Sequence, residues 1–306
     1  MIVVCGEALI DLVPDDGNGE RWTAIPGGSP ANAAVALARL QVETALLARL
    51  SGDAFGRRLR SHLLGNGVDL SLAVDAEQPS SLAIVELDET GAASYRFDIH
   101  GTADWQWTDA ELPPVLPPAV RAVHAGSLAL ALPPGGPVLE AFLARSRSSS
   151  TISIDPNVRP SVDDDLDDVR SSVDRWCGLA DLVKASSDDV ALLYPDVEPE
   201  VAAKRWQGLG PAVVIVTLGA GGALAVTRNS AVRLPAPPTV VVDTVAAGDT
   251  FTAGLLASLD GAGALGGRLD GLGQETLTAA IGYGLRAAAI TCSRPGADPP
   301  WLAEMG

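Results

Sequence analysis

Near the C-terminus, Asp243-Thr244-Val245-Ala246-Ala247-Gly248-Asp249 sets two carboxylates around a run of small residues where a helical pattern begins. A helix N-terminus presents unpaired backbone N–H groups and the positive end of the helix dipole. Small residues at Ala246, Ala247 and Gly248 let an anion approach that backbone closely. Phosphoryl transfer needs such donors, fixed where negative charge builds up. Asp249, in the first turn, is placed to accept the proton of an attacking hydroxyl. A capped helix with an acidic first turn is the competing reading of the same residues.

Other residues suited to this chemistry recur where strands are expected to end. Asp11 closes Gly6-Glu7-Ala8-Leu9-Ile10-Asp11, and a carboxylate accepts two hydrogen bonds from a diol. A solvated turn aspartate would look the same. Pro26-Gly27-Gly28-Ser29-Pro30-Ala31-Asn32 joins glycines that let a ligand meet backbone to an asparagine that donates and accepts. Its plain reading is a glycine turn and a helix start, with Ser29 as N-cap and Pro30 at the first helical position. Asp155-Pro156-Asn157-Val158-Arg159-Pro160 follows a strand end, where ligands bind in parallel sheets. Arg159 there reaches a sugar or phosphate, or makes a surface salt bridge. Lys184-Ala185-Ser186-Ser187-Asp188-Asp189 ends another strand, with Ser186 also readable as a helix cap. Thr217-Leu218-Gly219-Ala220-Gly221-Gly222-Ala223 is Gly-rich but lacks the following helix of a dinucleotide fingerprint. No Gly-Lys pair and no His-Arg-Asp triplet occurs, which excludes the usual P-loop and the protein-kinase catalytic loop.

The elements that must carry these residues follow from periodicity and turn signals. Residues 2–5 read as a buried strand. Residues 8–13 and 22–25 read as a hairpin around a polar turn at 14–19. A helix follows over 31–40, a strand over 44–50 and a helix over 54–66. Residues 81–87 and 94–99 form a second hairpin turning at 88–91, and 109–118 is a proline-rich loop. Strands over 120–124, 151–154, 181–184 and 213–217 then alternate with helices over 137–147, 166–179, 187–194 and 200–207. Such alternation predicts a parallel sheet covered on both faces. Strands over 223–227 and 232–234 look antiparallel. A strand end at 240–243, with Thr244 as cap, precedes helices over 247–259 and 275–291. The early hairpins suit a small β appendage.

The chain has 306 residues, 47% of them hydrophobic and 19% charged, ample for one large core. A formal charge of -17 disfavours nucleic acid and anionic membranes as partners. Three cysteines and three histidines, without paired or metal spacing, argue against a disulfide framework and zinc. With no basic leader and no long apolar stretch, a cytoplasmic protein is expected.

The segment from Asp243 to Leu256 resembles the C-terminal signature of the ribokinase-like (PfkB-type) carbohydrate kinases. Pro26 to Asn32 resembles their N-terminal signature, and the Asp11 and Asp155 segments resemble the fructokinase branch. The resemblance implies one domain over 1–306: a three-layer α/β/α fold with a mainly parallel sheet and a small β lid at about 11–26 and 79–104. It implies transfer of the ATP γ-phosphoryl to a sugar hydroxymethyl. Asp249 is the base, with Ala246, Ala247 and Gly248 as anion hole. Asp11, Gly27, Gly28, Asn32, Arg96, Phe97 and Arg159 bind sugar. Lys184, Ser186, Thr217, Gly219, Gly222, Thr244, Gly248 and Cys292 bind ATP. Asp189 meets Mg²⁺ through water, and Asp243 lies by a K⁺ site. The expected acceptor is D-fructose; ketodeoxygluconate, ribose or a nucleoside is the rival, and an inactive sugar-binding regulator the rival of another class. Pairing of two chains through the lid is a further expectation. The family usually has glycine where this chain has Gln41 and Ser51, which predicts altered turns there.

Overall fold

The computed structural model describes residues 1–15, 21–87, 93–159 and 165–306. The first apolar run is β1 (Ile2–Cys5). β2 (Leu9–Pro14) and β3 (Trp22–Gly27) form the expected antiparallel hairpin, most of whose turn lies outside the described residues. α1 (Ser29–Arg39), β4 (Thr44–Leu47), β5 (Arg49–Ser51), α2 (Ala54–Gly65) and β6 (Val74–Ala76) follow. β7 (Leu82–Leu87) and β8 (Ala93–Asp98) make the second hairpin, its predicted turn outside the described residues. Next come β9 (Ala122–Gly126), α3 (Leu128–Ala131), α4 (Gly135–Ser146), β10 (Thr151–Asp155) and α5 (Leu166–Leu179). The chain continues through β11 (Leu182–Ser186), α6 (Ser187–Leu193), α7 (Pro199–Gln207) and β12 (Val213–Thr217). It ends with β13 (Ala223–Thr227), β14 (Ala231–Leu234), α8 (Ala247–Gly261) and α9 (Gln274–Cys292).

Among the described residues, the large sheet has eight strands in the order β14-β13-β12-β11-β10-β9-β1-β4. β4 through β12 run parallel, and β13 and β14 are antiparallel. A strand buried on both faces reads as an unbroken apolar run. In β1, Val3 and Cys5 join a core with Phe142, Trp176 and Trp206 from α4, α5 and α7. Ile2 and Val4 point the other way, to a core with Leu37, Leu63, Phe251 and Ile281 from α1, α2, α8 and α9. The architecture is therefore three-layer α/β/α. Strand order reverses at β1, with β4 on one side and β9 on the other. The crevice at the carboxyl ends beside such a reversal is where ligands bind in these sheets.

The two early hairpins form the small β appendage expected of them. A parallel pairing of β2 with β7 joins them into one four-stranded sheet, β3-β2-β7-β8. The strand expected over 44–50 is two strands: β4 continues the large sheet, and β5 turns away to pair with β6. The strand expected over 120–124 starts two residues later. Residues 240–243 are not a strand at all, and the valines there are exposed. Among the described residues the apolar run pairs with no strand; its N–H groups at Val242 and Asp243 instead reach the Cys292 carbonyl. Gln41 adopts the left-handed φ of 61°, so the turn a glycine would favour persists and carries the strain instead.

Candidate active site

The start of α8 is set by its neighbours, not by a side-chain cap. Ala246 is the N-cap residue, in the left-handed region with φ 59°, and Thr244 contributes only its carbonyl, to Ala247 N–H. Asp243 holds the turn: Oδ1 accepts from Val245 N at 3.0 Å and Oδ2 from Gly296 N at 2.7 Å. Burial works against the charge on Asp243, but these backbone donors hold its carboxyl below the usual range. Below the first turn α8 lies against α9 at Gly254 and Gly284. A Cβ on Gly284 would stand 2.7 Å from the Phe251 carbonyl, so the helix is held at close quarters.

Asp249, in that first turn, is partly buried and faces the start of α1. Its Oδ1 accepts from Ser29 Oγ at 2.6 Å, and its Oδ2 from Asn32 Nδ2 at 3.1 Å. Ser29 is thus not the N-cap that its sequence context suggests. Gly28 occupies that position with φ 99°, and Ser29 is the first helical residue. Burial pushes the Asp249 carboxyl up, opposed by Ser29, Asn32, Lys184 and Arg159. Asp11, at the middle of β2, is pushed up to about 6 by burial and by the Asp249 charge, with Arg159 opposing. Asp11, Asp249 and Arg159 therefore share one electrostatic neighbourhood, drawn from β2, α8 and the loop after β10. The backbone here is close-packed. A Cβ on Gly27 would stand 2.1 Å from Asp11 Oδ2, and one on Gly28 would stand 2.9 Å from the Glu7 carbonyl.

Behind this cluster lies a buried ion pair. Lys184 Nζ donates to Asp155 Oδ2 at 2.8 Å, with side-chain exposures of 5% and 3%. Burial raises the Asp155 carboxyl to about 6 in spite of Lys184, while the surrounding carboxylates keep Lys184 protonated against its own burial. A Cβ on Gly248 would stand 2.8 Å from Lys184 Nζ, so the ammonium lies directly against the small-residue turn. A Cβ on Gly126 would stand 1.9 Å from the Asp155 carbonyl, which makes glycine obligatory beside that strand end.

Ser186 and Thr217, expected at the nucleotide, are register partners at the carboxyl ends of β11 and β12. Gly219 and Gly222 take φ of 54° and 89° in the turn to β13, as the strand–turn–strand reading expects. Cys292 ends α9, its carbonyl bound by Val242 and Asp243 N–H. Asp189 and Ser186 form a reciprocal capping box. Asp189 Oδ2 accepts from Ser186 N and Oγ, and its Oδ1 from Val158 N at 2.8 Å. Neither oxygen lacks a protein partner, which suits outer-sphere contact with a metal and not direct ligation. No cluster of three metal-ligating side chains occurs among the described residues.

Phe97 is the register partner of Ala83, itself the partner of Asp11, so Phe97 and Asp11 stand on one face of the four-stranded sheet, two strands apart. Phe97 also lines a cleft of about 140 Å³ with His100, Trp105, Leu132 and Pro133. Arg96 is exposed on the same strand. Sequence reasoning missed Ser29 as a partner of Asp249, Asp155 as the partner of Lys184, and Glu7. Glu7 is buried, accepts from Ala129 N at 3.2 Å, and is pushed up to about 7 by burial. A charged residue inside an apolar strand must be paired, so Lys184 in Leu182-Val183-Lys184-Ala185 was the signal available.

A carboxylate in the first turn of α8, beside small residues and the buried ammonium of Lys184, suits transfer of a phosphoryl group to an alcohol, and the family match places the chain in that class of phosphotransferase. The chain belongs to the pfkB family of carbohydrate kinases, whose family model matches residues 1–304. It is 39% identical over 261 residues to a fructokinase of Rhizobium leguminosarum bv. trifolii, covering 85% of this chain and 79% of that protein. Its structure is similar to that of a double-mutant fructokinase from Vibrio cholerae O395 bound to fructose, ADP and potassium, with TM-score 0.85 and 30% identity, over 99% and 96% of the two chains. It is equally similar, at TM-score 0.85 and 28% identity over 99% and 98%, to aminoimidazole riboside kinase from Salmonella enterica bound to aminoimidazole riboside and an ATP analogue.

Proposed function

We propose that this chain transfers the γ-phosphoryl of ATP to the 6-hydroxymethyl of D-fructose. The observation that carries the reading is Asp249, held at the start of α8 within the same charge neighbourhood as Asp11 and Arg159. Asp11, Asn32 and Arg159 hold the sugar, with Gly27 and Gly28 lending backbone. Asp249 takes the proton of the attacking hydroxyl. The N–H groups of Ala246, Ala247 and Gly248 bind the transferring group, and Lys184 neutralises charge as it develops. ATP lies along Ser186, Thr217, Gly219, Gly222, Thr244 and Cys292. The four-stranded sheet acts as a lid whose closure excludes water, bringing Arg96 and Phe97 toward the sugar.

Magnesium would spread the charge of the nucleotide phosphates. The donor set fits a phosphate-borne ion that keeps its waters, with Asp189 in contact through one of them. Both oxygens of Asp243 accept backbone N–H groups. Potassium is therefore expected on backbone carbonyls near Asp243 and the 293–297 loop. We further propose homodimerisation through the lid and a cytoplasmic location, where ATP is at hand.

Fructose is favoured over other acceptors by the fructokinases among the relatives. Aminoimidazole riboside is the second reading, on the strength of the Salmonella enterica likeness. ADP release with fructose, ribose, ketodeoxygluconate, adenosine and aminoimidazole riboside separates them. Fructose should give the highest kcat/KM; a higher value with the riboside would move the assignment.

A further inference from the structure

The hydroxyl of Ser29 has a simpler structural use available and does not take it. Serine beside a helix start normally accepts from the N–H groups of the first turn, and losing such a cap costs roughly 1 kcal/mol. Here α1 has no side-chain cap hydrogen bond, and Ser29 donates instead to Asp249, 220 positions away in sequence. A donor on each carboxylate oxygen fixes the plane of the group. It also leaves the remaining lone pairs as the only place for an incoming hydroxyl proton. Torsion of a terminal carboxylate is otherwise broad.

We propose that Ser29 is a positioning residue for the catalytic carboxylate, fixing Asp249 together with Asn32 and favouring its ionised form. The proposal rests on the reading of Asp249 as base. The groups that face Asp249 are Asp11 on β2, Asp155 on β10, Arg159 after β10 and Lys184 on β11. Arg159 and Lys184 favour the charge, and Asp11 and Asp155 oppose it. Burial pushes the carboxyl up, and the 2.6 Å hydrogen bond from Ser29 is the largest contribution opposing it. Removing it raises the Asp249 pKa. A base works only when deprotonated, so the acid limb of kcat/KM moves to higher pH.

The test is the pH profile of kcat/KM for fructose in wild type, Ser29→Ala, Ser29→Thr and Asp249→Asn, with thermal melting of each. Ser29→Ala should shift the acid limb upward by about one pH unit, the effect of one hydrogen bond to a charged group. Ser29→Thr, which keeps the hydroxyl, should restore the wild-type limb. An Ala variant with lower activity but an unmoved limb would show a packing role only and overturn the proposal. If Ser29→Ala does not fold, Ser29→Gly removes the same hydroxyl, and an unmoved limb there overturns the proposal equally. Full activity in Asp249→Asn would remove the base itself, a failure distinct from that of the Ser29 inference.

Discussion

Replacing Lys184 by Met removes a buried charge while keeping most of its length, and the structure sets the size of the effect. At 2.8 Å the Lys184–Asp155 attraction is gross, about 6 kcal/mol at an effective dielectric near 20, and desolvation of both ions offsets most of it. Deleting one partner strands the other, which costs about 3–5 kcal/mol. For a chain of 306 residues this lowers the melting temperature by about 5–8 °C. The cost depends on pH. Asp155 already titrates at about 6 in the folded protein, above its unfolded value of about 3.9. The folded state therefore binds this proton more readily than the unfolded state, and stability falls as pH rises through that interval. Without Lys184 the folded value climbs further. Destabilisation in Lys184→Met should be large at pH 8 and much smaller at pH 5, where Asp155 is taken up as the neutral acid. Because Nζ lies against Gly248, kcat should also fall by about 10²–10³, the usual loss for one charge-stabilising donor. Differential scanning calorimetry at the two pH values, with exposed Lys204→Met as control, reads the first effect. A Lys184→Met loss equal at both pH values, or no greater than that of Lys204→Met, would refute the assignment of a stranded carboxylate.

Gly27→Ala places a methyl 2.1 Å from Asp11 Oδ2, so the carboxylate must rotate away. The sugar KM should rise by about tenfold or more, the ATP KM should stay within about twofold, and steady-state kinetics on each substrate check it. Asp243→Ala frees the Val245 and Gly296 N–H groups and should cost about 1–3 kcal/mol by denaturant melts. Since its folded pKa is depressed, that contribution is present at neutral pH and fades as pH falls through the folded value. Ala246→Gly relieves a left-handed φ of 59° and should stabilise the chain by up to about 1 kcal/mol, read in the same melts.

The layered fold was written in period and burial. Apolar runs such as Val213–Thr217 and amphipathic stretches such as Leu166–Leu179 fall where they were expected, because each is specified by its own residues. What escaped depended on partners far away in the chain. The valines at 240–242 have the composition of a strand, yet they are exposed and, among the described residues, pair with no strand. The parallel β2–β7 pairing joins segments separated by β3, α1, β4, β5, α2 and β6, and nothing local encodes it. Ser29 satisfies the local rules for a cap, yet a carboxylate on α8 claims its hydroxyl. At the site, small residues and carboxylates at strand ends marked the places. The pairing of Lys184 with Asp155 and the approach of Arg159 to Asp11 and Asp249 are tertiary facts.

The central claim is that Asp249 takes the proton from the attacking sugar hydroxyl. Asn at this position keeps the shape and can still accept from Ser29, but it cannot act as a base. Turnover of fructose with ATP by Asp249→Asn, followed as ADP release alongside ADP affinity by calorimetry, tests this directly. The expected result is a kcat lower by about 10²–10⁴ with ADP affinity unchanged. A kcat within about threefold of wild type would contradict the account.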